Sequence, residues 1–258
     1  MPEGDTVWRT ARHLHQALSG HELTGCDIRV PAFATVDLTG EPVVSTTSRG
    51  KHLLTRIGDE HTLHTHLKME GSWHLYRPGR AWRRPAHQAR VVLSTADWVA
   101  VGFSLGITEV LRRADEDTAV GHLGPDLLGP DWDEAEAVRR LGGDPSRAIG
   151  EAMLDQRCLA GIGNMYKSEL CFVLGLSPWT PTGEVDLLRL VRRARSVLEA
   201  NKLRAEQTTT GDLRRGARHW VYRRQGQPCR RCGTTIRTEE QGGRVTHWCP
   251  RCQPGVAR

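Results

Sequence analysis

The amino-acid sequence predicts an α+β fold with a strand-rich N-terminal part, a helical second part and a small metal-binding module at its end. Three observations predict this order. Short runs of strand length recur between residues 22 and 112, apolar residues recur at helical spacing after residue 133, and four cysteines stand in two Cys-x-x-Cys pairs after residue 228. We therefore place domains at residues 1–120, 133–223 and 224–258, with a linker over 121–132.

The strand-rich part opens with a helix over Thr6–Leu18, because apolar residues recur there at spacings of three and four. Turn residues separate the strand-like runs that follow at regular intervals, which indicates an antiparallel sandwich or barrel. The runs are Cys26–Val30, Val43–Thr47, His52–Ile57, Thr62–Leu67, Gly71–Tyr76, Ala89–Ser94, Trp98–Phe103 and Ile107–Arg112.

The second part is helical. Pro125, Gly129 and Pro130 mark the break that precedes it. The apolar stripe of its longest helix, formed by residues such as Val191 and Leu198, indicates packing rather than a ligand surface. The predicted helices are Asp133–Leu141, a segment from a Ser146 cap to about Gln156, Asn164–Leu174, Asp186–Leu203 and Asp212–Tyr222.

The charge balance favours a polyanionic partner. The formal net charge is +6, the isoelectric point is about 9.2, and arginines crowd residues 214–237. This composition suits nucleic acid, although many soluble proteins are mildly basic. No apolar run has the length of a membrane span and no signal segment precedes the first helix, so a cytoplasmic location is expected.

The four cysteines of the C-terminal module predict a metal site. Two Cys-x-x-Cys pairs with 16 residues between them give two knuckles of thiolates, and together they complete the tetrahedral sulfur set that zinc prefers. Strands of roughly 233–238 and 243–248 would form a hairpin between the pairs. Because four thiolates leave no open coordination position, we predict one structural Zn²⁺ without chemistry at the metal. The ligands are Cys229, Cys232, Cys249 and Cys252.

A glycine-punctuated turn separates two predicted helices. Gly161 and Gly163 let backbone approach a ligand closely, and a helix that begins at Asn164 offers free N–H groups to a phosphate. A Gly-x-Gly alone also occurs in helix turns that bind nothing. Followed by Asn164 and Lys167 in a basic, zinc-binding sequence, the pattern favours a phosphate clamp.

The first residues offer a nucleophile. Removal of Met1 would leave Pro2 with a secondary amine, which can attack an electrophilic carbon and form an iminium intermediate. An α-amino group has a reference pKa of about 7.7–8.0, so a neutral fraction exists near pH 7. Glu3 stands beside it as a carboxyl that can move protons. Many termini with this start are merely exposed and frayed.

These three motifs together resemble the formamidopyrimidine-DNA glycosylase / endonuclease VIII family. They are the N-terminal Pro-Glu-Gly, the turn Ala-Gly-Ile-Gly-Asn-Met-Tyr-Lys and the four-cysteine finger, and they span the chain in this order. The resemblance implies an N-terminal β-sandwich domain, a helix–two-turns–helix domain and a terminal zinc finger. It also implies a bifunctional glycosylase and abasic-site lyase that flips a damaged nucleotide out of double-stranded DNA containing oxidised bases or abasic sites. Nothing requires more than a monomer.

The resemblance also implies roles for single residues. Pro2 takes the place of the nucleophile that attacks the sugar C1′, Glu3 that of the acid/base that assists ring opening, and Lys51 that of a lysine that contacts phosphate near the lesion. Asn164 and Arg244 take the places of phosphate-binding residues of the turn and of the finger.

For one methionine and two histidines, both a functional and a structural role stay open. Met69 stands where a family side chain enters the space that the flipped base leaves, although methionine also fills gaps in cores. His64 and His66 alternate on one strand face, but no third ligand accompanies them, so we expect surface or core histidines rather than a metal site.

The sequence departs from the family pattern at two places. Thr6 stands where many members carry a second glutamate, which leaves a supporting carboxylate in doubt. The segment Gly102–Ile107 replaces an Arg-Arg-Phe-Gly segment of the purine-acting branch. Both features favour the endonuclease VIII branch and oxidised pyrimidines. Two alternatives stay open, namely the same chemistry on oxidised purines and a non-catalytic zinc-finger binder of damaged DNA.

Overall fold

A computed structural model describes residues 2–255 of the chain. They form two compact units, one of Pro2 with Thr6–His122 and one of Glu3–Asp5 with residues 123–255. The finer division at residues 120, 133 and 224 stays a prediction. Among the described residues, no helix is both long and apolar enough to cross a membrane.

Helix α1 spans Gly4–Leu18 and supplies one wall of the first unit's core. Its apolar positions at spacings of three and four are buried, as the sequence predicts. They include Val7, Ala11, Leu14 and Leu18.

The strands of the first unit form two four-stranded antiparallel sheets. One sheet has the order β1-β6-β7-β5 and the other the order β2-β3-β4-β8. The strands are β1 Gly25–Ile28, β2 Val43–Arg49, β3 His52–Ile57, β4 His61–His66, β5 Ser72–Tyr76, β6 Ala89–Ser94, β7 Val99–Phe103 and β8 Ile107–Arg112.

Both sheets contribute to one apolar core. Leu53 of β3 and Leu63 of β4 lie in the same cluster as Val91 of β6 and Ala100 of β7. Side chains of opposite sheet faces that meet in this way define a sandwich. The structure therefore decides for the sandwich over the barrel, and the α+β fold class is confirmed.

The second unit packs its helices around one core that includes Met153, Tyr166, Leu170 and Leu198. The helices that follow β8 in the chain are α2 Glu116–Val120, α3 Glu134–Leu141, α4 Ile149–Leu154, α5 Asn164–Leu174 and α6 Leu187–Asn201. The last four of these belong to the second unit. Helices α4 and α5 with the turns between them form the helix–two-turns–helix element.

Side-chain caps fix two of these helices. The Asp133 carboxylate accepts from the Glu136 N–H before α3, and the Asp186 carboxylate accepts from the Arg189 N–H before α6. The predicted Ser146 cap is wrong, because Ser146 donates to Asp144 in a separate turn and α4 begins three residues later.

No helix forms over Asp212–Tyr222, contrary to the prediction. The segment consists of turns, and Gly211 and Gly216 adopt φ values of 85° and 80°, outside the helical region. The Asp212 carboxylate accepts from the Arg214 N–H, which offers the backbone a local alternative to a helix.

The C-terminal hairpin consists of β9 Arg237–Gln241 and β10 Arg244–Trp248. Gly242 and Gly243 form its two-residue turn, with φ values of 54° and 70° that such a turn requires. The first strand begins later than predicted, because Cys229 N–H donates to the Thr234 carbonyl and closes a knuckle in this stretch.

Candidate functional site

The Glu3 carboxylate lies at the N-terminal end of α5 within the second unit. It accepts hydrogen bonds from the backbone N–H groups of Gly163 and Met165, each at 2.8 Å, and of Tyr166 at 3.3 Å. Glu3 is fully buried. The first N–H groups of a helix have no partner within the helix and carry partial positive charge, so a carboxylate is stabilised there.

Gly163 makes room for this carboxylate, and Gly4 makes room for the neighbouring Gly161. A Cβ atom on Gly163 would lie 2.6 Å from the Glu3 carboxyl carbon, and a Cβ atom on Gly4 would lie 2.9 Å from the Gly161 Cα atom. The Gly4 N–H donates to the Gly161 carbonyl at 2.9 Å. Both turn glycines are buried.

The predicted phosphate clamp at Gly161 and Gly163 therefore needs correction. Gly163 lies against Glu3 and Gly161 lies against Gly4, and the N–H groups of Gly163, Met165 and Tyr166 already donate to the Glu3 carboxylate. In the structure, the anion at this helix end is the Glu3 carboxylate.

Gln156 shapes the turn from its other side. Its Oε1 accepts from the Gly161 N–H at 3.1 Å, and its Nε2 donates to the Ile162 carbonyl at 2.9 Å. Gly161 has a φ of 106°, which favours glycine. The turn is thus held by a side chain as well as by its glycines.

Asp5 is a second buried carboxylate of the N-terminal peptide, and the sequence analysis missed its role. Its Oδ2 accepts from the Tyr166 hydroxyl at 2.8 Å and its Oδ1 accepts from Gln207 Nε2 at 2.7 Å. Burial, and then the neighbouring Asp5 carboxylate, raise the pKa of Tyr166 well above its usual range, so its hydroxyl remains a donor.

Asn164 joins the start of α5 to the finger hairpin. Its Nδ2 donates to the Val245 carbonyl at 2.8 Å, and its buried Oδ1 has no hydrogen-bond partner among residues 2–255. Arg244, the neighbour of Val245, is exposed. The structure thus brings Asn164 and the strand of Arg244 together within one unit, as a shared phosphate site would require.

Lys167 does not fit the predicted DNA contact. It is fully buried, and its ammonium donates to Thr246 Oγ1 of β10. Burial lowers its pKa to about 8. An ammonium enclosed between α5 and β10 cannot reach a phosphate, so the prediction is corrected: Lys167 ties the helix to the hairpin.

Pro2 and Lys51 belong to the first unit and are both half-buried. Lys51 follows Gly50 in the two-residue turn that joins β2 to β3, where Gly50 has a φ of 57°. Met1, which precedes Pro2, lies outside the described residues. Their roles in catalysis stay predictions.

Histidines stand next to Lys51 in the same sandwich. His52 Nδ1 and His64 Nε2 share a hydrogen bond of 2.8 Å, and His64 Nδ1 lies 3.0 Å from a Glu109 carboxylate oxygen. Burial, followed by neighbouring histidines, lowers the pKa of His52 to about 3, and burial with Lys68 and Lys51 lowers that of His66 to about 4. At neutral pH the His52 and His66 imidazoles are therefore uncharged.

Met69 lies on an exposed turn between β4 and β5, with 53% of its surface accessible. A core role is thereby excluded. Arg84, which the sequence analysis missed, braces this turn by donating to the Glu70 carbonyl at 3.2 Å and to Ser72 Oγ at 2.9 Å. It also donates to Ser104 Oγ in the segment where the sequence departs from the family pattern.

The four paired cysteines converge in the second unit. Their Sγ atoms all lie within 4.8 Å of one another. The Cys229–Cys252 and Cys232–Cys249 Sγ distances are 3.9 and 3.5 Å, far longer than a disulfide bond and near the ~3.8 Å edge of a tetrahedral zinc–thiolate site. The donor set therefore fits a four-coordinate metal.

Two protein-family descriptions match the chain. "Formamidopyrimidine-DNA glycosylase N-terminal domain" matches residues 1–104, and "Zinc finger found in FPG and IleRS" matches residues 226–255. Among solved structures, the complex of Lactococcus lactis Fpg with an abasic site containing DNA has a TM-score of 0.80 and 22% identity, over 98% of this chain and 100% of that one. At this identity the likeness shows the fold.

Full-length relatives show more. "Probable endonuclease 8 2" of Streptomyces coelicolor is 56% identical over 100% of this chain and 95% of its own length. "DNA-(apurinic or apyrimidinic site) lyase Nei2" of Mycolicibacterium smegmatis is 54% identical over 98% of this chain and 99% of its own length. With both motif-bearing ends matched and the whole length covered, the chain belongs to the formamidopyrimidine-DNA glycosylase and endonuclease 8 family.

Proposed function

We propose that this chain removes oxidised bases, pyrimidines above all, from double-stranded DNA and then cuts the strand at the resulting abasic site. As a member of its family, the chain is a DNA glycosylase and abasic-site lyase of base excision repair. The preference for pyrimidines is supported by relatives: those named endonuclease 8 2 or Nei2 reach 52–56% identity, whereas those named formamidopyrimidine-DNA glycosylase reach 33% and those named endonuclease 8 reach 31%.

The chemistry starts at Pro2. After removal of Met1, the neutral secondary amine attacks C1′ of the damaged nucleotide, the bond from C1′ to the base breaks, and the base leaves with a proton. Opening of the sugar ring leaves an iminium between the Pro2 nitrogen and C1′. Loss of a C2′ proton then breaks the C3′–O bond, and a second elimination breaks the C5′–O bond.

The placement of Glu3 carries this proposal. Glu3 directly follows Pro2, and its carboxylate is held by three backbone N–H groups of the second unit. The acid/base is therefore fixed in place next to the nucleophile in the sequence. An acid/base that is fixed in this way loses little entropy when the sugar ring opens. Lys51 is proposed to complete the catalytic set by contacting a phosphate near the lesion.

DNA binding is assigned to residues of the finger strand, of the start of α5 and of an exposed turn. Arg244 is exposed, Asn164 Nδ2 donates to the carbonyl of the neighbouring Val245, and Met69 is exposed at a turn of the first unit. We assign the first two to phosphates and Met69 to the space left by the flipped base. A single chain supplies all of these groups, so the active form is proposed to be a monomer, located in the cytoplasm.

The metal is proposed to be one Zn²⁺ per chain, held by Cys229, Cys232, Cys249 and Cys252. When bound it supplies folding energy to the finger and no chemistry, because four thiolates fill its coordination sphere. The protein's own contribution is to present Arg244 on a rigid hairpin. Fixed in this way, the side chain loses less freedom when it binds phosphate.

A borohydride trapping assay tests the central step. Wild-type protein incubated with a duplex carrying an oxidised pyrimidine should form a covalent adduct with the DNA, and intact mass should show that Met1 is absent. The variant Pro2→Gly replaces the secondary amine with a primary amine and should trap more slowly, while a variant that retains Met1 should bind the duplex without trapping. Tight binding of lesion DNA by the wild-type chain without any adduct would instead support the non-catalytic alternative.

A panel of lesion duplexes decides between the substrate classes. We expect faster single-turnover excision of oxidised pyrimidines than of 8-oxoguanine or formamidopyrimidine lesions. Binding should weaken steeply with salt, and Arg244→Ala should reduce the slope of log affinity against log salt by about one, since one phosphate contact is lost. A higher rate on purines would reassign the branch but not the chemistry.

A further inference from the structure

The N-terminal peptide is held from two sides within the second unit. Glu3 and Gly4 contact the turn before α5, at Gly163 and Gly161. Asp5 is 98% buried, and its carboxylate is shared between the α5 hydroxyl of Tyr166 and the amide of Gln207. Gln207 lies outside the helices, in the segment 203–219 that follows α6.

The segment that carries Gln207 is itself fixed. Thr208 N–H donates to Asn201 Oδ1 at 2.8 Å, and Asn201 Nδ2 donates back to the Thr208 carbonyl at 2.9 Å. Thr209 N–H donates to the Arg218 carbonyl at 2.9 Å, which closes the segment on itself. A residue next to such an anchor offers Asp5 a donor with little freedom to move away.

We infer that Asp5 is a positioning residue of the reaction: through its bond to Gln207 it couples segment 203–219 to the peptide that carries Pro2 and Glu3. This inference rests on the proposed function. The Asp5 carboxylate is buried and bonded to Tyr166 and Gln207, so it acts through the residues before it. It fixes the direction in which the preceding residues leave α1, and small errors in the placement of a nucleophile cost rate rather than affinity. A carboxylate one residue before Thr6 therefore takes on the supporting role that the sequence left in doubt.

An exchange of donor and acceptor across the 2.7 Å contact of Asp5 and Gln207 tests the inference. The variant Gln207→Glu sets two carboxylates against each other, which repel at this distance. The double variant Asp5→Asn with Gln207→Glu restores a donor–acceptor pair at the same charge as wild type, and the new amide at position 5 keeps a carbonyl oxygen for Tyr166. Gln16→Glu adds the same charge at an exposed position of α1 and serves as the control.

The readouts are the single-turnover rate of borohydride trapping at saturating duplex, the dissociation constant of the duplex and the melting temperature. We expect Gln207→Glu to slow trapping about tenfold with an unchanged dissociation constant, and the double variant to recover to within about threefold of wild type. Gln16→Glu should trap at the wild-type rate.

Two results would overturn the inference: a Gln207→Glu variant that traps at the wild-type rate, or a double variant that melts like wild type and still traps as slowly as Gln207→Glu. If Gln207→Glu does not fold, the folded double variant alone decides. Trapping by the double variant at the wild-type rate supports the coupling, and slow trapping by it refutes the coupling. A wild-type chain that never forms the adduct would refute the proposed function itself, which keeps the two failures distinct.

Discussion

The Glu3 carboxylate accepts a hydrogen bond of 2.8 Å from the backbone N–H of Met165, 162 positions further along the chain. This contact links the residue after the proposed nucleophile to the first turn of α5. It explains why a glycine-rich turn and an N-terminal Pro-Glu-Gly occur in one sequence. The turn receives the N-terminal peptide, and the start of the helix supplies the charge complement for its carboxylate.

Gly163→Ala should disable base excision. A Cβ atom at this position would lie 2.6 Å from the Glu3 carboxyl carbon, so the carboxylate must leave the N–H groups of α5. We expect single-turnover excision to fall at least about a hundredfold, because the acid/base is misplaced, and the free energy of unfolding to fall by ~1–3 kcal/mol, because buried N–H groups lose their acceptor. Excision assays and urea unfolding measure the two effects.

The control for this substitution is Gly25→Ala. Gly25 lies in β1, where an added Cβ atom would meet only Ser94 atoms at ordinary contact distances of 3.7 and 3.8 Å. Excision by this variant should match wild type. Full activity of Gly163→Ala would show that the Glu3 contact does not matter for the reaction.

Loss of one finger cysteine should remove the metal and weaken DNA binding without unfolding the first unit. Cys232→Ser breaks the set of four Sγ atoms that lie within 4.8 Å of one another. Because metal binding supplies much of the folding energy of such a module, the hairpin that presents Arg244 should lose its order. Atomic emission should find one zinc per wild-type chain and much less in the variant, together with a weaker affinity for DNA.

Cys158→Ser is the matched control, since Cys158 is a half-buried cysteine outside the cluster. It should keep one zinc per chain and wild-type affinity. Equal zinc content in the two variants, or full DNA affinity of Cys232→Ser, would contradict a structural finger.

Much of this fold could be predicted from the sequence, because its signals are local. Strands β3, β6 and β8 and helix α5 have the predicted bounds, since apolar alternation and turn residues delimit them directly. The four-cysteine site follows from spacing alone. The helix predicted over Asp212–Tyr222 does not form, because the Asp212 carboxylate bonds to the nearby backbone and two glycines adopt positive φ values. The periodicity of apolar residues does not indicate such effects.

The candidate site could be predicted only in part, because its decisive contacts are long-range. The sequence indicates an anion at the start of α5 but not that the anion is Glu3, 160 residues before Gly163. Lys167 looked like a DNA ligand because spacing cannot show that the side chain is enclosed against Thr246. No sequence motif includes Asp5, Gln207 or Arg84 in the roles described above, because the fold brings each of them together with its partners.

The buried histidines predict that the first unit loses stability in acid. The pKa of His66 is about 4 in the folded chain, below its ordinary value of 6.5, and that of His52 is about 3. The unfolded chain therefore binds more protons between about pH 3 and 6.5, so the free energy of unfolding is highest above pH 6.5 and falls as the pH is lowered through this window.

His66→Asn tests this dependence. The His66 Nδ1 atom accepts from the Lys68 N–H at 2.8 Å, and an asparagine oxygen can take its place without titrating. Urea unfolding of the variant between pH 4 and 7.5 should show a shallower dependence on pH than wild type. His13→Asn, at an exposed position of α1, should leave the wild-type slope unchanged. A steeper or identical slope for His66→Asn would contradict the assignment.

Arg84→Ala should impair the insertion of Met69 into the space left by the flipped base, without removing a group that contacts DNA. The guanidinium donates to the Glu70 carbonyl and to Ser72 Oγ, at the C-terminal end of the exposed turn, and lies 5.6 Å from the Phe103 ring centre. Removing it frees the turn, so we expect excision to slow about tenfold and the free energy of unfolding to fall by ~1–3 kcal/mol. Arg83→Ala, at the exposed neighbouring position, should do neither.

A double-mutant cycle with Met69→Ala separates bracing of the turn from general loss of stability. If Arg84 acts through the turn that carries Met69, the double variant should excise bases no more slowly than Met69→Ala alone, because the side chain that needed positioning is gone. Fluorescence of 2-aminopurine opposite the lesion should report less unstacking in Arg84→Ala and in Met69→Ala alike. Rates that fall by the product of the two single effects would show instead that Arg84 acts independently of this turn.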